Sequence, residues 1–250
     1  MNNIMHCLKT TGITVILIVL LSFKPKTCVE PQVSSSHKHT YMAMGDSYTI
    51  GEGVDETERW PVLLENALRN HSLHINYPYF VASNGWTTAQ LLKRLEEEEF
   101  SKHYDLISIQ IGVNDEFQKH SVSQYTTDFR NLLKKAILLS GNRPGRVFVL
   151  SIPDWSVTPF AIKKYNAQLE EGKTALAELE ANLGKFNAVC KKETIAAGCH
   201  FVDITDISRK AATDPTLICP DGLHPSGKMY KLWVERMYPT VIKALESHRH

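Results

Sequence analysis

Short apolar runs alternate with longer amphipathic ones along most of this chain. TYMAMGDS, residues 40–47, reads as a strand that ends in Gly45, Asp46 and Ser47. WPVLLENALRN, 60–70, predicts a helix with Trp60, Leu63, Leu64, Ala67 and Leu68 on one face. Residues 77–82 predict a second strand, and 87–100 a second helix whose threonines cap its start. YDLISIQIG, 104–112, is the most convincing buried strand: short, β-prone, and apolar at Leu106, Ile107, Ile109 and Ile111. Another helix is predicted over 124–139 and another strand, RVFVLSIP, over 146–153. From 160 to 198, Leu169, Leu176, Leu179, Leu183, Phe186 and Cys190 recur at helical spacing. Most of that segment predicts one long helix or two abutting ones, with Gly172 and Gly184 weakening an unbroken rod. The repeat is too brief for a coiled coil, so packing against the parent sheet is expected. CHFVDIT, 199–205, is a fifth strand, and 226–247 a closing helix capped by Ser226.

Strands alternating with helices at this scale predict a three-layer α/β/α sandwich with a mostly parallel central sheet of about five strands. In open sheets of this class, sites form beyond the carboxyl ends of the strands. That rule points to Ser47, to the loops around Asn84 and Asn114, and to DGLHPSG, 221–227, with Asp221 and His224. No GxGxxG follows the first strand and no GxxxxGK[ST] occurs, so dinucleotide and P-loop readings lose their support.

The N-terminus departs from this alternation. Lys9 precedes TGITVILIVLLSF, an uncharged, mainly aliphatic run over 11–23 that is short for a transmembrane helix. Residues 1–27 are expected to be a secretory signal or, if uncleaved, a membrane anchor, and the chain to be exported, secreted or periplasmic. Cys28 lacks the small apolar residues that precede a lipid-modified cysteine. Residues 28–39, with Pro31 and the SSSHKH run, are expected to be a flexible tether, and 40–250 the folded domain.

Composition narrows the picture only modestly. The 250 residues are 43% hydrophobic and 22% charged, enough for one substantial core. Lys plus Arg is 28 against 27 Asp plus Glu, a formal charge of +1, so no basic field recruits nucleic acid or anionic lipid. Outside the signal, Cys28, Cys190, Cys199 and Cys219 allow three complete pairings, and an exported chain can form disulfides. Cys190 with Cys199 would close a short loop; Cys219 would instead staple the DGLHP loop; several free thiols are the third outcome. None of the four stands in a CxxC arrangement, which argues against redox catalysis.

A serine becomes a useful nucleophile only beside a base, and histidine is the usual one near neutral pH. Most of the eleven histidines lie in the ends or at element edges; His224 sits in a Gly- and Pro-shaped loop with Asp221 three residues before it. An aspartate there can hold the remote ring nitrogen, as a histidine base requires. Equally, Asp221 can cap a turn that His224 merely packs against. Asn114 offers an uncharged amide donor to a developing oxyanion and Gly85 an exposed backbone N–H, although both also suit ordinary turns.

Order adds what the single residues lack. GDS at 45–47, NGWTT at 84–88, GVND at 112–115 and DGLHP at 221–225 follow one another along residues 40–246. This constellation resembles the SGNH hydrolases of the GDSL esterase/lipase superfamily, which have a flavodoxin-like α/β/α fold. The resemblance implies a serine esterase cleaving acyl or carbohydrate acetyl esters through an acyl-enzyme intermediate. Ser47 would be its nucleophile, His224 its base and Asp221 the orienting acid. Ser47 N–H, Gly85 N–H and the Asn114 amide would form the oxyanion hole. Asp46 is expected to anchor the strand-to-helix turn. Trp86, where smaller residues are common, is expected to narrow or cap the pocket, and Trp155 to touch substrate. The length of 160–190 is a further departure, expected to shape one side of the cleft. No cofactor or metal is implied. The expected partner is a small-molecule, lipid or glycan ester, with membrane contact only through the N-terminal anchor and the enzyme a monomer. The competing classes are a noncatalytic binding protein on the same fold, or a metal-dependent hydrolase using Asp46, Asn114, Asp221 and His224 as ligands.

Overall fold

The computed structural model describes residues 38–100 and 103–247. Five strands form its centre: β1 (Tyr41–Gly45), β2 (Tyr79–Ala82), β3 (Leu106–Gln110), β4 (Val147–Leu150) and β5 (His200–Val202). They pair in the order β2-β1-β3-β4-β5, and every pair is parallel. The three inner strands are buried along their whole length. Strands covered on both faces need continuous apolar runs, as in YMAMG and VFVL. Ser108 is the polar exception that finds a partner, with its Oγ 2.9 Å from the Tyr41 hydroxyl.

The helices are α1 (Ser47–Ile50), α2 (Trp60–Asn70), α3 (Thr88–Glu97), α4 (Val113–Phe117), α5 (Val122–Leu139), α6 (Pro159–Lys164), α7 (Glu170–Ala196), α8 (Thr205–Ser208) and α9 (Gly227–Glu246). α2 packs with α9, while α3, α5 and α7 form a second packed group. One continuous apolar core joins them to the sheet, with Trp60, Trp155, Trp233, Phe129 and Phe148 among its large, fully buried side chains. This is the expected α/β/α sandwich, with the sheet parallel throughout.

Several local expectations need correction. Each strand is shorter than the apolar run that predicted it; after β1 and β3 the chain turns within two residues into short helices. α1 and α4, too brief to show periodicity, are the two such helices on the site edge. The 160–198 segment divides into α6 and α7, the second of the two outcomes its pattern allowed. The Tyr165 and Asn166 carbonyls press on the first turn of α7, where a Cβ on Gly172 would come within 2.3 Å of both. Gly184 has open space around it and α7 runs through it. Leu169, expected on the buried face, precedes α7 and is 52% exposed. Thr87 caps α3 as expected, in a reciprocal capping box with Gln90. Ser226 stands at the N-cap of α9, but its hydroxyl donates to the Thr216 carbonyl at 2.7 Å.

The expected signal and most of the expected tether, 1–37, lie outside the described residues. His39, the tether's last expected residue, is bridged to Ile75. Among the described residues no helix is long and apolar enough to cross a membrane. Cys190, Cys199 and Cys219 are buried free thiols, so neither described disulfide partner suggested by their spacing is used. Cys28 lies outside the described residues.

Candidate active site

Register decides what meets at the carboxyl edge of the sheet. Gly45 pairs with Ala82 on one side and Gln110 on the other, so β1, β2 and β3 end level. The next residues out are Asp46 and Ser47, then Asn84 and Gly85, then Gly112 to Asn114. Gly45 must be a glycine: a Cβ there would come within 2.1 Å of Thr49 Oγ1 and 2.3 Å of the Gln110 carbonyl.

Asp46 is the N-cap of α1, and its Oδ1 accepts the Tyr48 N–H at 3.0 Å. This is the anchoring role expected of it. Ser47 opens the helix and is 7% exposed. Its N–H lies in the first turn, where helical N–H groups have no intrahelical acceptor. From the far end of the chain, the 219–225 loop returns over α1. His224 Nε2 stands 3.0 Å from Ser47 Oγ, and His224 Nδ1 stands 2.5 Å from Asp221 Oδ2. The other Asp221 oxygen accepts the N–H groups of Leu223 (2.8 Å) and His224 (3.0 Å). Partial burial pushes the Asp221 pKa up, but these three hydrogen bonds and the imidazole outweigh it and hold the carboxyl below its ordinary range. The Tyr48 ring backs the imidazole at 5.1 Å between centroids.

On the opposite side, Gly85 takes φ +78° in the turn before α3, a region L side chains rarely occupy, although a Cβ there would touch nothing. Asn114, in α4, donates through Nδ2 to the Trp86 carbonyl at 3.1 Å, with Asp46 Oδ2 at 3.5 Å. Burial pushes Asp46 up to about 8, against the lowering pull of the Tyr48 N–H, so it is mainly a neutral acid at pH 7.

The stretch that follows β3 also clamps the 84–88 turn, which sequence reasoning missed. Gln118 Nε2 donates to the Gly85 carbonyl at 3.2 Å. Asp115 Oδ2 accepts both the N–H (2.9 Å) and the hydroxyl (3.0 Å) of Thr88. Asp115 is fully buried, which raises its pKa against those hydrogen bonds, and His120 lies 3.7 Å from its other oxygen. In the sequence, Asp115 reads as an ordinary turn residue, and nothing in its spacing marks the contact.

These elements enclose a cleft of about 350 Å³. Ser47, His224, Asp221, Gly85 and Asn114, all singled out from the sequence, line it together. Phe117, Trp155, Phe160 and Leu223 form an apolar wall, with Glu52 and Asn84 as further polar groups. Trp155 is 1% exposed and packs on Phe117, Phe160 and Tyr165, so it is core and cleft lining at once. Trp86 does not cap the pocket. Its ring packs partly buried against the core, outside the cleft-lining set, and only its carbonyl reaches the site through Asn114. α7 contributes no side chain to the lining; it packs behind the wall against the 155–157 turn and α6. Among the described residues no cluster of three or more His, Cys, Asp or Glu could hold a metal ion. Both ring nitrogens of His224 are already committed to Ser47 and Asp221.

The fold and the cleft define the class: an α/β ester hydrolase with its site at the carboxyl edge of a parallel sheet. The family model described as GDSL-like Lipase/Acylhydrolase family matches residues 43–232, and the chain belongs to that family. It is a serine ester hydrolase of the GDSL/SGNH type. Among solved structures it is similar to TesA, at 18% identity and TM-score 0.62, covering 82% of this chain and 99% of that one. A family 3 carbohydrate esterase from Clostridium thermocellum is 25% identical at TM-score 0.56, covering 84% and 98%. An acetyl xylan esterase variant from Geobacillus stearothermophilus is 15% identical at TM-score 0.58, covering 81% and 94%. A search of curated proteins found no match.

Proposed function

We propose that this enzyme hydrolyses short-chain carboxylic esters, carbohydrate acetates foremost, through a Ser47–His224–Asp221 triad. The observation that carries the reading is the unbroken hydrogen-bonded chain from Ser47 Oγ through the imidazole to Asp221, at 3.0 and 2.5 Å. His224 Nε2 takes the Ser47 proton as Oγ attacks the acyl carbon, and Asp221 favours the imidazolium that forms. The negative oxygen is received by the Ser47 N–H, the Gly85 N–H and Asn114 Nδ2–H. Asn114 is held on the Trp86 carbonyl by its shorter bond, and its second hydrogen, on Asp46 Oδ2 at 3.5 Å, is the one that would turn to the oxyanion. Donors of this kind contribute about 10² to 10³ in rate each. His224 then protonates the leaving alkoxide. Water attacks the acyl-serine as His224 takes one of its protons; the imidazolium passes that proton to Ser47 Oγ as the acyl C–O bond breaks, and the acid leaves with the remaining O–H.

Cleft size supports the short acyl group: about 350 Å³ is near the lower end of small-molecule pockets and must hold part of the alcohol as well. The similarity to a carbohydrate esterase at 25% identity supports a sugar as that alcohol. A noncatalytic role would predict a displaced group, and the five site residues stand together. A metal-dependent role would require His224 to give up one of its two partners. We also read residues 1–27 as an export signal or anchor, 28–39 as the tether and the rest as a monomeric catalytic domain acting outside the cytoplasm.

The test is hydrolysis of p-nitrophenyl acetate, butyrate, octanoate and palmitate, beside Ser47→Ala and with a chelator present. Turnover is expected to fall with chain length, to resist the chelator, and to drop at least about 10³-fold in Ser47→Ala. Undiminished activity in that variant would remove Ser47 as the nucleophile, and preference for palmitate would replace the short-chain reading with a lipase one.

A further inference from the structure

The cleft has a charge imbalance that ester hydrolysis does not require. Among the described residues, its lining holds two carboxylates, Glu52 and Asp221, and no lysine or arginine. Asp221 is held by the His224 ring, which becomes a cation during the reaction, whereas Glu52 Oε2 faces the Asn84 amide at 2.6 Å, which supplies a hydrogen and never a charge. Two cations that contact residues around the cleft are engaged with rings. Lys164 Nζ lies 4.8 Å over the Phe117 ring, and the Arg59 guanidinium 5.9 Å over Phe80. Neither lines the cleft.

Backbone packing keeps Glu52 in place. Its N–H donates to the Ser47 carbonyl at 3.0 Å, one helical turn beyond the serine. Gly51 (φ +77°) and Gly53 (φ +85°) bracket it in left-handed conformations. A Cβ on Gly51 would come within 2.5 Å of the Arg59 side chain, and one on Gly53 within 3.0 Å of Cys219. With the loop wedged between these neighbours, the carboxylate cannot withdraw from the cleft by backbone movement alone. Asn84 occupies Oε2, which leaves Oε1 able to accept a hydrogen bond from a hydroxyl of the bound alcohol.

We propose that Glu52 is a specificity-determining residue that selects esters of neutral polyhydroxy alcohols and repels esters whose alcohol carries a phosphate. The proposal rests on the reading of Ser47 as the nucleophile. For a phosphate bound in the same cleft, within roughly 8 Å of an ionised carboxylate, Coulomb repulsion at partly screened dielectric corresponds to about 3- to 30-fold in kcat/KM. The effect falls as salt screens it.

The experiment compares two acetate esters that share the acyl group, an acetylated methyl xyloside and an acetylated glycerol 3-phosphate. Wild type, Glu52→Gln and Glu52→Lys are assayed at low salt and at about 0.5 M salt, and the ratio of kcat/KM values within each protein is the readout. Gln retains an oxygen to accept from Asn84, so the loop keeps its tie while the charge is lost. The wild-type preference for the neutral ester is expected to shrink about 3- to 30-fold in Glu52→Gln and further in Glu52→Lys; added salt lowers it in wild type, raises it in Glu52→Lys and leaves it nearly unchanged in Glu52→Gln. A Glu52→Gln ratio within twofold of wild type overturns the role of Glu52. Hydrolysis that survives Ser47→Ala overturns instead the nucleophile reading beneath it, and a wild type inactive on both esters overturns the carbohydrate-acetate reading.

Discussion

At the scale of single residues, two aspartates near one serine have opposite electrostatics. Asp221 accepts three hydrogen bonds and is held below the ordinary carboxylate range, so it stays ionised through neutral pH. Because its folded pKa is depressed, the stability it contributes is complete above its unfolded value and is lost only as pH falls through the folded one. Asp221→Asn is expected to lower kcat about 10²- to 10⁴-fold with a smaller effect on KM, measured on p-nitrophenyl acetate, since the amide no longer favours the imidazolium. Asp46, raised to about 8 by burial, has the reverse sign. Its folded form keeps a proton that the unfolded chain loses near pH 4, so stability declines as pH rises between those values. Asp46→Asn, a neutral mimic that still accepts from Tyr48, is expected to flatten that decline. Urea unfolding at pH 5 and pH 8 checks this: an equal pH dependence in both proteins would show that Asp46 is not the source.

At the scale of elements, the oxyanion side is a clamp between α4 and the start of α3. Asp115 accepts two hydrogen bonds from Thr88 while fully buried, and Gln118 holds the Gly85 carbonyl from the end of α4. Removing the Asp115 carboxylate leaves the Thr88 N–H and hydroxyl without their acceptor in the interior. Asp115→Ala is expected to cost about 2–4 kcal/mol of stability, read from the urea midpoint at constant m-value. In the same variant, kcat is expected to fall more than KM rises, since the clamp locates donors whose hydrogen bonds strengthen in the transition state. A loss of KM alone would make the clamp a substrate-binding feature instead.

At the scale of the whole molecule, one core runs from β2 to β5 and through both helical layers. Equilibrium unfolding is therefore expected to be a single transition, with tryptophan fluorescence and far-UV circular dichroism coinciding; Trp60, Trp155 and Trp233 are spread through that core. Separated transitions would divide the core that the packing joins.

The sequence by itself determined the layered fold and the identity of the chemical groups. Buried parallel strands need continuous apolar runs and amphipathic helices need a periodic face, so β1, β3, β4, α2, α5 and α9 were all visible in the pattern. Ser47, Gly85, Asn114, Asp221 and His224 were visible because their short motifs occur in a fixed order at strand ends. Two abutting helices over 160–198 were among the outcomes the pattern allowed, but where α6 ends and α7 begins was not visible, because it depends on carbonyls of 165 and 166 meeting Gly172 in space. Nor was the fate of Trp86, whose ring packs partly buried against the core, or the clamp by Asp115. Only the tertiary structure decided that Glu52 faces the cleft without a matching cation. Patterns along a chain record which face of an element is apolar; which polar groups from separate loops come within hydrogen-bond distance depends on strand register, left-handed turns and packing between elements.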